Sequence, residues 1–251
     1  MAGSFTLFAL GVAVVRASLI LVFLPIPGFR LLPVGARALV AFSMATVIAG
    51  AGTWAEGPAV AGAYGFTRLM ADLFTAAGIG LAGNFVVESL TFGAQMIAAQ
   101  AGFSYASMID PFSESDTGII PSFVGLAANL LIFQSPLYAG LFRALAEGLS
   151  RAPERAASHA SDVARIVVGF SAHCLEYGIR LALPVIAFGF LADLCIGLFG
   201  RLQPQIQFLP ISFSLKLLGA LTATAAVLPA LGWLHQRLSA TAGDVLLVLT
   251  R

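Results

Sequence analysis

Two apolar runs, residues 66–105 and 163–199, are each far longer than one membrane span requires. A helix crosses the hydrocarbon core with about 20 residues. Each run therefore predicts either a long tilted helix or a broken pair. Four further apolar segments fall at 5–24, 38–52, 119–142 and 206–234, of which 38–52 is short for a lone span. Only 10% of the residues are charged and 59% are hydrophobic, with a mean hydropathy of +0.95. A soluble domain carries about 25% charge. The expected class is an all-α, polytopic membrane protein with one integral membrane domain over residues 1–251.

Breakers separate the segments. Pro25, Pro27, Gly28 and Pro33 end the first, and Glu56-Gly-Pro58 follows the second. Asp110-Pro111 to Pro121 divides the third from the fourth. A polar connecting region occupies about 143–165, and Gln203-Pro204-Gln205 with Pro210 divides the last two segments. Pro184, inside the fifth, predicts a kink or break. Gly78, Gly80 and Gly83 are small residues that let helices approach closely. The first residues, Met-Ala-Gly-Ser, lack a basic n-region, so they are expected within the first helix rather than in a removable signal.

Charge placement conflicts with a simple bundle. Arg30 and Arg37 make the first loop basic, and Arg143, Arg151, Arg155 and Arg165 outnumber the acids of the polar region. The positive-inside rule puts both regions in the cytoplasm. Simple spans through segments two, three and four put them on opposite sides. Either one segment does not span, or the third crosses twice, or the chain is embedded among other subunits. Helices displaced from the membrane plane are allowed where protein or water surrounds them.

Polar residues inside the apolar segments support embedding. Arg16, Glu88, Glu176, Arg180, Asp193 and Lys216 each cost about 2.5–3.5 kcal/mol in hydrocarbon if unpaired. Glu176 and Arg180 are four apart and can pair on one helix face, as can Arg68 and Asp72. Ion pairing between helices or subunits is the plain reading, with a proton or ion relay as the sharper one. His173 stands alone in an apolar stretch and reads as a packed or hydrogen-bonded histidine before a proton carrier. The stretch Gln95 to Pro111 carries Gln95, Gln100, two serines and a tyrosine, so it must face protein or a water-filled passage. Asp110-Pro111 restrains the expected helix end, because a residue before proline disfavours the α region.

Several chemistries find no support. Net charge is +1, so nothing suggests nucleic acid. Cys174 and Cys195 have no CxxC spacing and read as small apolar side chains rather than metal or redox ligands. There is no P-loop, no H-E-x-x-H and no G-x-S-x-G elbow. No cofactor and no enzymatic activity are expected.

Several motifs carry a family resemblance. Gln100-Ala-Gly-Phe-Ser-Tyr-Ala-Ser-Met-Ile-Asp-Pro111 resembles the Q-x-G-x-S-[FY]-A-x-x-x-D-P signature of the FliR family, the flagellar biosynthetic proteins of the type III export gate. Arg16, Pro25, Pro33 and Arg37 resemble that family's first helix and turn. Ala182-Leu-Pro184, Leu194-Cys-Ile-Gly197 and Arg201-Leu-Gln-Pro204-Gln205 resemble its A-L-P, N-L-x-L-G and R-x-x-P-Q elements. The resemblance covers most of residues 8–235. Three departures stand out: Phe133-Gln-Ser-Pro136 replaces a frequent Phe-Asn-Gly-His, Asp193 replaces an asparagine, and Gln207 replaces another.

The resemblance implies long, partly broken helices and helical hairpins assembled side by side in a helical export gate. It implies FliP and FliQ subunits and FlhB as partners, with FlhA and the basal-body MS ring nearby. It also implies a bacterial inner-membrane setting with lipid contact, and unfolded exported chains as cargo. The loop Asp110, Pro111, Phe112, Ser113, Glu114, Ser115, Asp116, Thr117, Gly118 then corresponds to the family's channel plug. Arg16, Pro25, Pro33, Arg37, Gln95, Gln100, Glu176, Arg180, Asp193, Arg201, Pro204, Gln205 and Lys216 are the candidates for subunit packing or buried polar contacts. The injectisome counterpart, the SctT family, is the first rival reading. A secondary transporter using Glu176, Arg180 and Asp193 is the second, and it expects inverted repeats that are not visible.

Overall fold

An apolar chain without water must satisfy its amides internally, which favours helix. Every segment described by the computed structural model is helical apart from short turns, and no strand occurs among the described residues. Those residues are 14–15, 17–23, 32–51, 66–102, 118–150, 160–202 and 208–250. Beyond the helical residues near 14–23, six helices follow: α1 (Val34–Ala51), α2 (Phe66–Ala101), α3 (Ile119–Gln134), α4 (Pro136–Ser150), α5 (Ala160–Leu202) and α6 (Phe208–Thr250).

The two overlong runs resolve as single helices, not broken pairs. At 43 residues, α5 is about 65 Å long, twice the thickness of the hydrocarbon core. Pro184 lies inside it without breaking it, so the expected break does not occur. Pro184 is exposed, and apolar helices tolerate an interior proline where local adjustment or neighbouring groups satisfy the freed carbonyl. Pro229 is likewise interior to α6, whereas Pro210 sits in its first turn, where amides lack helical partners anyway.

The break falls instead at Ser135, inside a segment expected to be continuous. Pro136 has no N–H and opens α4 at the position where helices favour proline. Ser135 caps it, its Oγ accepting the Leu137 amide at 3.0 Å. The helix pair bends there by 73°. The polar region about 143–165 is also more helical than expected, because α4 runs to Ser150 and α5 starts at Ala160.

Among the described residues, three helices are long and apolar enough to cross a membrane, or four if the bent pair is one span. At 18 residues, α1 is slightly shorter than the length a lone span usually takes.

Contacts divide the residues into two units, and the division cuts through the long helices. The first draws on residues up to Val86, on Ile132–Ala172 and on Ser239 onward. There α1 packs on α4. Gly78 admits Val163, Val167 and Leu249, and Gly80 lies against Ile20 and Phe23, so both provide the close approach expected of them. Gly83 is buried. The second unit comprises Val87–Leu131 and His173–Leu238.

Candidate functional site

The polar stretch that sets α2 apart ends in the second unit. The helix stops at Ala101, nine residues before the expected end at Asp110. Gly102 has φ 87°, the left-handed conformation that glycine adopts without strain, and its amide reaches the Ala99 carbonyl at 3.2 Å. That is the physical role of the glycine in Gln100-Ala-Gly102. Gln95 is exposed, while Gln100 is half-buried. Of the expected plug, Asp110 to Thr117 lie outside the described residues, and Gly118 is exposed as the residue before α3. Its carbonyl accepts the Ser122 amide at 3.1 Å.

Glycines seat α2 against α5. A Cβ on Gly178 would collide with the Ser89 carbonyl oxygen and lie 3.3 Å from the Phe92 ring. A Cβ on Gly93 would lie 2.5 Å from the Gly178 carbonyl oxygen and 3.2 Å from Leu181. The two backbones therefore touch, which no larger residue permits. Further along the same seam, a Cβ on Gly189 would lie 2.5 Å from Nε2, 2.6 Å from Cγ and 3.0 Å from Cδ of Gln100. Contacts at 93 with 178 and at 100 with 189 advance together, so the two stretches run parallel.

Along the same stretch α5 is stitched to α6. The Phe188 ring occupies the space that a side chain at 219 would need. Asp193 and Lys216 form an ion pair, with Nζ donating to the two carboxylate oxygens at 3.0 and 2.9 Å. The pairs 188 with 219 and 193 with 216 run in opposite directions, as in a helical hairpin. Twenty-three residues separate Asp193 from Lys216, so no helical spacing rule could have paired them.

The other predicted pair is local. Arg180 donates to Glu176 at 2.5 Å along one face of α5, as the spacing of four requires. His173 Nδ1 stands 4.0 Å from the same carboxylate, and the guanidinium lies 5.5 Å from the Tyr177 ring centre. All three charged or titratable groups are exposed. Of the packed or hydrogen-bonded histidine expected there, the packing is not found: His173 lies on an exposed polar stripe beside Glu176. Among the described residues the buried histidine is His235, on α6.

The remaining candidates are spread out. Arg37 donates through Nε to the Leu32 carbonyl at 2.8 Å, closing the turn at Pro33, whose carbonyl accepts the first α1 amides. Arg201 is exposed in the last turn of α5, where a cation complements the helix dipole. Arg16, Pro25, Pro204 and Gln205 lie outside the described residues, as do the side chains of Arg68 and Asp72. The sequence reading missed Gly93, Gly178, Gly189 and Gly219. Their only signal was a glycine placed within an apolar helical run.

Comparison with known proteins gives these helices a context. Residues 7–242 match the sequence model of the bacterial export proteins, family 1. The chain is 26% identical over 147 residues to the flagellar biosynthetic protein FliR of Caulobacter vibrioides, covering 59% of each. It is 24% identical over 151 residues to that of Escherichia coli, covering 60% of this chain and 58% of the relative. For Pectobacterium carotovorum the identity is 21% over 165 residues, covering 66% and 63%. The chain thus spans about three fifths of the length of these curated relatives.

Proposed function

The chain belongs to the bacterial export proteins, family 1, and from that membership we propose that it is a channel-forming subunit of the flagellar type III protein export gate. In this reading it passes unfolded flagellar proteins across the inner membrane from within the basal body. The match over residues 7–242 carries the proposal. The helical architecture agrees with it: among the described residues, three long apolar helices hold polar seams and glycine contacts. The flagellar name shared by the matched relatives favours this reading over an injectisome counterpart.

FliP and FliQ subunits with FlhB are the proposed partners, and FlhA and the MS ring the proposed neighbours. Much of the apolar surface supports a partnered state. Phe190, Leu191, Leu194, Leu198, Phe199 and Leu202 are all exposed in the last part of α5. Helices exposed this way need lipid or protein around them. Within the assembly, the loop Asp110 to Gly118 acts as a plug. Pro111 and Pro121 hold its ends, and its serines and acids accept water. A passing chain shifts it by binding one of two states more tightly.

Deleting Ser113–Gly118 in cells with the complete gate tests the plug. Ion leak per assembled gate is expected to rise, and an unchanged leak would refute plugging. Purification tests the subunit role separately, because a gate subunit co-purifies in a larger oligomer. A stable, functional monomer would point to a transporter. Gln205→Ala is expected to weaken assembly and secretion.

A further inference from the structure

We propose that Gly189 is a positioning residue for the gate: the slot it leaves receives Gln100 and fixes where the chain departs from α2. The proposal rests on the channel reading above and adds a specific key within it.

Gln100 is the last long side chain of α2. Ala101 behind it is fully buried, and Gly102 turns the chain out of the helix. Gln100 is therefore the final point at which α2 grips its neighbour. It grips with its length, because the Cγ, Cδ and Nε2 atoms all lie over Gly189. A methyl group at 189 cannot fit unless that side chain swings away. Displacing Cγ means changing the first torsions of the side chain, not only its tip. Rotamer changes of this kind, forced by overpacking, shift the backbone.

The neighbouring residue makes the key directional. Phe188 fills the space over Gly219 of α6, and the Asp193–Lys216 pair follows one to two turns later. One turn of α5 thus holds α6 by Phe188 and the end of α2 by Gly189. Packed interfaces of this sort have discrete arrangements rather than a continuous range. Sliding the α5–α6 hairpin carries the Gly189 slot with it. The exit of the chain from α2 moves in the same step.

The test compares Gly189→Ala, Gln100→Ala and Gln100→Met in the complete gate, reading ion leak per assembled complex. Gly200→Ala is the control, since nothing lies within 4 Å of a Cβ there. Gly189→Ala and Gln100→Ala are each expected to raise leak about tenfold, the change produced by a bias of about 1.4 kcal/mol between two states. Gln100→Met keeps the length and should leak no more than the parent. In the double variant Gly189→Ala with Gln100→Ala, a small residue on each side restores the spacing, and leak should fall below that of either single change.

A purely structural role would lower the amount of assembled gate and leave leak per gate unchanged, which would overturn the proposal. So would equal leak from Gln100→Met and Gln100→Ala, because the amide and not the length would then matter. If Gly189→Ala does not assemble, the Gln100 pair decides alone. The Ser113–Gly118 deletion separates the two levels. Leak there but not in the 189 and 100 variants removes the key and keeps the channel. No leak from the deletion removes the plug reading itself.

Discussion

Helices α2 and α6 are both long and apolar, yet they use their surfaces in opposite ways. In α2 an 18-residue apolar stretch within Leu73–Ala101 is 56% buried within the chain. In α6 the corresponding stretch within Lys216–Leu249 is only 17% buried. The contacts explain the difference. Helix α2 presents Gly93 and Ser89 to a glycine on α5, so its backbone comes into contact. Helix α6 is held to α5 in the second unit by Phe188 over Gly219 and by the Lys216 pair, and it leaves Leu218, Leu228 and Trp233 exposed. Hydropathy alone separates neither case, because an apolar residue is equally suited to protein or lipid.

The comparison can be broken most forcefully at Gly178. Gly178→Val drives a side chain into the Ser89 carbonyl, and backbone cannot swing aside. A loss of about 3 kcal/mol is expected, the upper end of overpacking costs. It should appear as loss of monodisperse protein and a lower melting temperature of the purified gate. A melting temperature equal to the parent's would mean that α2 and α5 are not in backbone contact.

On the α6 side, Lys216→Met leaves Asp193 without its cation among exposed leucines. The cost is about 2.5 kcal/mol if hydrocarbon surrounds the site. Adding Asp193→Leu should recover most of it, since removing both charges of a pair costs less than removing one. Melting of the four variants in a double-mutant cycle measures this, and simple additivity would deny the pair any role.

Arg180→Met is a milder change. Its partner Glu176 sits on the same helix, and such pairs contribute about 0.2–0.5 kcal/mol. A much larger effect on assembly would show that the stripe of His173, Glu176 and Arg180 meets another subunit. The smallest effect is expected at Gly232 of α6, where nothing lies within 4 Å of a Cβ. Gly232→Ala should stabilise by about 0.5–1 kcal/mol through helix propensity. Replacing a glycine thus changes sign between the α2–α5 seam and the open face of α6. Destabilisation at 232 would reveal a partner seated there.

What the chain revealed in advance was local. The Glu176–Arg180 pair follows from a spacing of four, and the run lengths forecast helices of unusual length. Gly102 stood inside a recognised motif, but its conformation became visible only at the end of α2. Ser135-Pro136 was noticed as a departure from the family pattern, although serine before proline is itself a cap-and-start signal. Of the kink or break expected at Pro184, the break does not occur, because a proline's cost depends on surroundings that the one-dimensional pattern does not show. The Asp193–Lys216 pair and the Gln100–Gly189 contact were out of reach. Both depend on which helices lie side by side.

The Ser135 corner bears on biogenesis. It splits one apolar segment into arms of 16 and 15 residues, each short of the length that crosses a bilayer. The insertion machinery therefore meets two short segments in succession, neither of which spans the bilayer by itself. Membrane entry of this stretch must wait for both arms, or for a companion chain that shelters them.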